Sequence, residues 1–288
     1  MTETSLANAQ QIEYWNAITG PKWVALTDLI DAQIAPIGLA AIDAAAPRPG
    51  ERVLDVGCGC GPTTLELARR VGASGSVSGV DISQPMLAEA RRRAAGAVGA
   101  PIDFTVADAQ THAFEAGAFD LIFSRFGVMF FEDPRAAFAN LRRALRTGGR
   151  LAFACWQEPA RNPWMVVPAA AAAKHVALPA PAHPHAPGPF AFADAERVRG
   201  IVEGGGFERV SIEPIERTML IGAGLDLDRI LDFLVQMGPA GAALRDATPE
   251  VSAAVRESIR EAVKPYYDGT GLRMDAAAWC VTARRGER

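Results

Sequence analysis

The feature that most constrains the fold is residues 53–62, which read Val-Leu-Asp-Val-Gly-Cys-Gly-Cys-Gly-Pro. The apolar run around Asp55 predicts a buried strand, and three glycines at alternate positions predict a sharp turn. Residues 63–71 then carry apolar side chains at helical spacing. A strand that passes through a glycine-rich turn into a helix indicates the edge of a parallel α/β sheet, where ligands bind.

The alternation of strands and helices continues along the chain. Short apolar or β-branched runs predict strands, and apolar residues three and four positions apart predict helices. The predicted strands cover 52–56, 76–80, 102–106, 119–124, 151–156, 208–215 and 274–283, and the predicted helices cover 63–71, 85–95, 134–146, 162–176 and 193–203. This order is typical of an α/β fold with a doubly wound, mostly parallel sheet, here of seven strands.

Two helical regions are not needed to build such a sheet. Residues 10–46 are expected to form helices that Gly20 and Pro21 divide and that Pro36 breaks or kinks. Residues 225–267 are expected to be a helical insertion. The predicted parts are therefore an N-terminal helical cap segment over 1–46, an α/β core over 47–224 and 268–288, and an insertion over 225–267 that forms part of a substrate cap.

Composition excludes several classes of protein. With 49% hydrophobic and 22% charged residues the chain is not of the disordered or fibrous type. The net charge of −4 argues against binding along a nucleic-acid backbone. No run reaches the roughly 20 apolar residues of a membrane span, and four cysteines give no disulfide framework. We therefore expect a cytoplasmic protein without nucleic-acid or membrane partners.

The glycine turn itself indicates the kind of ligand. Dinucleotide-binding turns have the spacing G-x-G-x-x-G, whereas Gly57, Gly59 and Gly61 are spaced G-x-G-x-G. Asp55 stands two residues before the first glycine, where a carboxylate would repel a pyrophosphate and attract an ammonium group. An amino-acid moiety fits this arrangement, because its carboxylate can lie near the backbone N–H groups of the turn and its ammonium group near Asp55.

Two further acids follow the next two predicted strands. Asp81 is placed to accept the two hydroxyls of a ribose, and Asp108 to accept from the amine of an adenine. Ile82, Met86 and Ala109 are apolar neighbours that would enclose a flat base. Each Asp alone has an ordinary explanation as a turn or cap residue. Their joint occurrence at successive strand ends favours ligand binding.

On these residues the chain resembles the class I, seven-stranded, Rossmann-like S-adenosylmethionine-dependent methyltransferases. The similarity lies in segments 53–61, 79–83, 106–109, 119–124 and 145–151 and is continuous over roughly 50–156. The resemblance implies a mixed sheet with an antiparallel seventh strand and S-adenosyl-L-methionine as cofactor. It also implies that Asp55 and the glycine turn with Cys58 bind the methionine part, Asp81 the ribose, and Asp108 with Ala109 the adenine. Cys60 stands where the family usually has Thr or Ser.

Three more residues are candidates for cofactor contact. Ser124 ends the predicted strand 119–124 and Arg125 follows it, next to the reacting methyl group in the family. Arg125 either meets substrate or cofactor or forms a surface salt bridge, and the two readings are equally weighted. Trp23 is expected to contact the cofactor, whereas Trp15 is slightly favoured as a staple between the N-terminal helices and the sheet.

Other motifs are better explained by structural or solvent-exposed positions than by metal binding or catalysis. The pair Cys58 and Cys60 is half a zinc site without a matching second pair, so no metal is predicted. His183 and His185 lie in a Pro-rich stretch without nearby acids and are expected to be solvated. His112 either faces the substrate or is an ordinary loop residue. No residue is singled out as catalytic.

The expected activity is transfer of a methyl group to a small-molecule acceptor by in-line displacement. The two cap regions and segment 157–190 are expected to close over an apolar pocket lined by Phe126, Met129, Phe130, Trp156, Trp164 and Phe233. The alternatives are a non-methylating reaction on the same fold and cofactor, an inactive binding or scaffold protein, and an NAD-dependent oxidoreductase. The cap helices are also the expected surface for a homodimer.

Overall fold

The fold is built on one seven-stranded sheet. The computed structural model describes residues 8–179, 183 and 185–287. The strands are β1 (Arg52–Val56), β2 (Ser76–Asp81), β3 (Ile102–Val106), β4 (Phe119–Arg125), β5 (Leu145–Trp156), β6 (Glu208–Ile221) and β7 (Leu272–Arg284), in the spatial order β3-β2-β1-β4-β5-β7-β6. Neighbours among β1 to β5 pair in parallel, and β7 runs antiparallel to β5 and β6. The predicted mostly parallel α/β sheet with an antiparallel seventh strand is confirmed.

Helices cover the sheet. They are α1 (Ala9–Glu13), α2 (Thr19–Ala25), α3 (Thr27–Ala45), α4 (Pro62–Val71), α5 (Gln84–Ala94), α6 (Pro134–Ala144), α7 (Pro163–Ala172), α8 (Ala195–Gly204), α9 (Leu227–Leu234), α10 (Gly238–Ala243) and α11 (Pro249–Val263), with a π-helical turn at Tyr14–Ile18. Four consecutive residues of β1, Val53 to Val56, are buried. Since successive side chains point to opposite faces, both faces of the central strands are covered.

The predicted breaks in the N-terminal helices are wrong in position. Gly20 and Pro21 lie in the first turn of α2, which follows the π-helical turn Tyr14–Ile18 without a gap. The chain instead bends by 87° between α2 and α3, at Leu26. Helix α3 continues through Pro36, because its buried face of Ile30, Ile34, Ile37 and Ala41 packs against the sheet.

The remaining differences lie at element ends. Strand β5 begins at Leu145 instead of residue 151, because the expected Gly148-Gly149 turn is an irregularity within the pairing with β4. Strand β6 continues to Ile221, and its pairing with β7 is continuous from Ser211 to that end. The predicted insertion over 225–267 consists of the three helices α9, α10 and α11.

Among the described residues, no single helix is long and apolar enough to cross a membrane. Helices α2 and α3 pass the test of length and composition only when taken together across their bend.

Candidate functional site

A cavity of about 530 Å³ opens at the carboxyl ends of β1 to β5. Its wall combines the glycine turn after β1, the ends of β2, β3, β4 and β5, the N-terminal helices, helix α7 with the loop after it, and the insertion helices α9 and α10. This size is typical of a small-molecule site. The switch in strand order between β1 and β4 lies at the same edge, as expected for a doubly wound sheet.

The glycine turn approaches the neighbouring loop closely enough to exclude side chains. Gly57, Gly59 and Gly61 all have positive φ, at 65°, 56° and 83°. A Cβ atom on Gly57 would lie 2.7 Å from the Cα of Gly127, in the loop after β4. Ser124 Oγ donates to the carbonyl of Val56 over 2.7 Å and ties the same two segments together. The turn therefore presents bare backbone to the cavity.

Asp55 lies inside the turn, behind the cavity wall. Its carboxylate is fully buried, and Oδ2 accepts from the hydroxyls of Thr63 and Thr64, each over 2.7 Å, at the start of α4. Its Oδ1 is buried and has no hydrogen-bond partner among the described residues. Burial raises the pKa of Asp55 to about 6 against the two hydroxyl hydrogen bonds, which lower it.

This raised pKa predicts a pH-dependent stability. Folded protein keeps the Asp55 proton up to about pH 6, whereas the unfolded chain releases it near pH 4, so the free energy of unfolding falls as pH rises between those values. Relative to Asp55→Asn, wild-type protein should lose about 3 kcal/mol between pH 4 and pH 7. Urea unfolding of both proteins without ligand measures this difference, and a constant difference would contradict the raised pKa.

Asp81 ends β2 and organises two loops. Its Oδ2 accepts from the N–H of Gly59 and its Oδ1 from the N–H of Ser83, both over 2.8 Å. The carboxylate lines the cavity, and burial raises its pKa while these backbone hydrogen bonds lower it. It therefore stands between the glycine turn and the start of α5, with acceptor capacity left for a ligand.

The N-terminal segment closes over the ends of β2 and β3. Asn8 Nδ2 donates to Asp108 Oδ2 over 2.9 Å, and the backbone N–H of Asn8 donates to Glu132 over 2.8 Å. Asn16 donates to the carbonyl of Ile82 over 2.9 Å and accepts from the N–H of Gln84 over 2.9 Å. The helices before β1 are thus attached to the loops expected to hold a nucleoside.

Arg125 forms an ion pair within the protein. Its guanidinium donates to Asp31 Oδ1 over 3.0 Å, and Arg93 donates to Asp31 Oδ2 over 3.0 Å. Arg125 lines the cavity, but its side chain is only 10% exposed. The salt-bridge reading is therefore correct in kind, although the pair is buried and not at the surface.

The end of the cavity near β4 and β5 is aromatic. Phe126 stacks on Trp156 with ring centres 4.0 Å apart and 9° between the planes. Phe126 has φ of 63°, a conformation that non-glycine residues adopt at a cost and mostly at functional sites. All six residues predicted to line an apolar acceptor pocket line this cavity, namely Phe126, Met129, Phe130, Trp156, Trp164 and Phe233.

The predicted cofactor residues divide into two groups. The cavity wall includes Trp23, Gly57, Cys58, Gly59, Asp81, Ile82, Met86, Asp108, Ala109 and Arg125. Asp55, Gly61 and Ser124 are not part of the cavity wall. They lie behind it and support the backbone that forms the wall. Trp15, predicted as a staple, also lines the cavity and meets Trp23 edge to face at 5.6 Å.

Sequence reasoning missed three residues of the site. Asn8 and Gln33 line the cavity as buried polar side chains, and Gly127 forms the contact opposite Gly57. An isolated polar residue in a helical or unpatterned segment has no local signal that distinguishes it from a surface residue.

The cysteines and histidines singled out in the sequence are buried or lie outside the cavity wall. Within residues 8–179, 183 and 185–287, no group of three or more His, Cys, Asp or Glu side chains is arranged to hold a metal ion. Burial raises the pKa of both the Cys58 and Cys60 thiols. His112 packs against Phe114 and is not in the cavity wall, while His183 and His185 are exposed and Pro184 lies outside the described residues.

Comparison with known proteins agrees with this architecture. The family model described as a methyltransferase domain matches residues 53–149. These residues run from β1 through the glycine turn into the first part of β5. Residues 53–149 are therefore similar to a methyltransferase domain, and the strand order agrees with the class I, seven-stranded fold that the sequence resemblance implied.

Particular relatives are methyltransferases of small molecules by name. Aklanonic acid methyltransferase of Streptomyces sp. (strain C5) is 41% identical over 41% of this chain and 54% of its own length. Nocamycin O-methyltransferase of Saccharothrix syringae is 36% identical over 58% of this chain and 65% of its own length. The chain thus matches between about half and two thirds of the length of these two relatives.

A solved structure supports the fold over a longer stretch. Phosphoethanolamine N-methyltransferase 2 of Haemonchus contortus, in complex with S-adenosylhomocysteine, has a TM-score of 0.51 and 20% identity. The similarity covers 88% of this chain and 53% of the other.

Proposed function

We propose that this protein is an S-adenosylmethionine-dependent methyltransferase that acts on a small-molecule acceptor. The single observation that carries the proposal is one continuous cavity with two unlike ends. The glycine turn, Asp81 and Asp108 form one end, and the stacked pair Phe126 and Trp156 forms the other. The named relatives and the structure with S-adenosylhomocysteine agree with this assignment.

The residues present fit the cofactor. Asp55 lies close behind the glycine turn, and its buried Oδ1, which accepts no hydrogen bond from a described group, leaves negative charge there to attract an ammonium group across the turn. The backbone of Gly57 and Gly59 has no Cβ to keep a ligand away. Asp81 would accept the ribose hydroxyls, and Asp108, steadied by Asn8, would receive the adenine amine next to Ile82, Met86 and Ala109.

The protein contributes mainly position and exclusion of water. When bound, S-adenosylmethionine supplies a methyl group on a sulfonium, which is already electrophilic. The acids and the glycine turn fix one reactant, while the aromatic wall and the N-terminal helices enclose the other. Holding two reactants at near-attack distance contributes up to about 7–11 kcal/mol to lowering a barrier. In-line displacement remains our prediction for the transfer.

Most ionisable side chains in the described part of the cavity wall are already engaged. Among the described wall residues, the side chains that ionise are Tyr14, Asp31, Cys58, Cys60, Asp81, Asp108 and Arg125. Asp31 lies between two arginines, and burial raises the pKa of both thiols. We therefore propose an acceptor atom that is nucleophilic in its own right, or that gives its proton to water.

Architecture and partners follow from the same reading. We propose that residues 1–46 and 225–267 act as the cap over a core of 47–224 and 268–288, and that capping helices offer a surface for a homodimer. A cytoplasmic location and the absence of nucleic-acid and membrane partners complete the proposal, supported by the net charge of −4.

Isothermal titration calorimetry with S-adenosylmethionine, S-adenosylhomocysteine and NAD tests the proposed cofactor. We expect both adenosyl compounds to bind and NAD to give no heat, because Asp55 and the short glycine spacing oppose a pyrophosphate. Binding of NAD alone would favour an oxidoreductase. Binding of the adenosyl compounds without release of S-adenosylhomocysteine in the presence of any small-molecule acceptor would favour the non-methylating or scaffold alternative.

A further inference from the structure

Gln33 is a buried polar side chain in the cavity wall without a partner. Three buried polar residues line the cavity: Asn8, Gln33 and Thr63. Asn8 and Thr63 are hydrogen-bonded to Asp108 and Asp55. Gln33 is only 5% exposed, and in the described part of the chain no group hydrogen-bonds its amide.

The amide of Gln33 opens into the cavity. In the described residues, three side-chain atoms are inaccessible to solvent and have no hydrogen-bond partner: Gln11 Oε1, Asp55 Oδ1 and Arg285 Nε. Neither amide atom of Gln33 is among them. Its amide atoms therefore touch open space, and the space beside Gln33 is the cavity. A buried amide that has no hydrogen-bond partner in the protein and is still accessible from a cavity is expected to bind a ligand or water.

The position of Gln33 assigns it to the acceptor end. Helix α3 packs against β4, β5, β6 and β7, whereas the nucleoside is expected at the ends of β2 and β3. The surroundings on α3 are apolar, with Ile30 and Ile34 also in the wall. Two charged side chains that also line the cavity, Asp31 and Arg125, are engaged with each other in an ion pair.

We infer that Gln33 selects the acceptor by a hydrogen bond to a hydroxyl or carbonyl group on an uncharged, flat, apolar molecule. The stacked rings of Phe126 and Trp156 give such a molecule its apolar surface, and the amide of Gln33 offers both a donor and an acceptor. This inference rests on the proposed function, because it places an acceptor beside the cofactor.

The test compares two probes of equal shape that differ in one polar group, 2-naphthol and 2-methylnaphthalene. Each is titrated into protein saturated with S-adenosylhomocysteine, and binding is followed by quenching of tryptophan fluorescence. Replacing Gln33→Met keeps the volume and removes the amide. We expect the dissociation constant of 2-naphthol to rise by about tenfold and that of 2-methylnaphthalene to stay unchanged.

Controls separate this inference from the proposed function. Gln10→Met alters an exposed glutamine of α1 outside the cavity wall and should change neither probe. Equal weakening of both probes by Gln33→Met, no effect on either, or no binding of 2-naphthol to wild-type protein would overturn the role of Gln33. Absence of S-adenosylhomocysteine binding would instead overturn the proposed function, since that binding is measured first.

Discussion

Replacing Asp81→Ala is expected to weaken binding of S-adenosylhomocysteine by at least about 100-fold. The change removes the acceptor proposed for the ribose hydroxyls, and it leaves the N–H groups of Gly59 and Ser83 without their partner. Hydrogen bonds to a charged group contribute about 1.5–3 kcal/mol each, so two of them account for a loss of this size. Isothermal titration calorimetry measures the affinity directly.

The control for this prediction is Asp103→Ala on the neighbouring strand. Asp103 is exposed on β3, and among the described residues its side chain accepts a hydrogen bond only from Thr105, so its loss should leave affinity unchanged. Asp81→Asn keeps the shape and one acceptor oxygen and should fall between wild type and Asp81→Ala. Wild-type affinity in a folded Asp81→Ala protein would refute the ribose assignment.

The second large effect is expected from Gly57→Ala, which should destabilise the protein by about 2–5 kcal/mol. Alanine at positive φ costs about 1–2 kcal/mol, and forcing a methyl group into packed backbone costs about 1–3 kcal/mol more. The new Cβ would lie 2.7 Å from the Cα of Gly127, and backbone on both sides has little room to move. Urea unfolding measures the change in the free energy of unfolding.

Gly96→Ala separates the two causes. Gly96 follows α5 with φ of 81°, also positive, but a Cβ there would have nothing within 4 Å. This variant should therefore lose only about 1–2 kcal/mol. Equal losses in Gly57→Ala and Gly96→Ala would show that the contact with Gly127 is not tight and that the glycine turn is not closed against it.

Most of the sheet was predictable because its signals are local. Strands β1 and β3 have the predicted bounds, since each is a short apolar or β-branched run with clear ends. The ends of β5 and β6 were not predictable in the same way. Their extra residues are paired with β4 and β7, and such pairing depends on distant parts of the chain. The bend at Leu26 likewise depends on how α3 packs on the sheet.

The site was predictable where its residues lie at or directly after the ends of the strands of the sheet. Asp81 and Asp108 follow strand ends, so their meeting at one edge follows from a parallel sheet. Asp55 shows the limit of that reasoning. Its spacing from the glycines is informative, but only the structure places one oxygen on Thr63 and Thr64 and leaves the other unpartnered. Gln33 gained its meaning only from the apolar cavity around it.

A crystal structure of the protein with S-adenosylhomocysteine tests the central claim most directly. We predict that the ribose hydroxyls donate hydrogen bonds to Asp81 and that the adenine lies beside Asp108 and Ala109. The sulfur should be directed towards Phe126 and Trp156. The ammonium group should lie on the side of the glycine turn where Asp55 has its free oxygen. A ligand bound outside this cavity, or bound with its sulfur away from the aromatic end, would contradict the account.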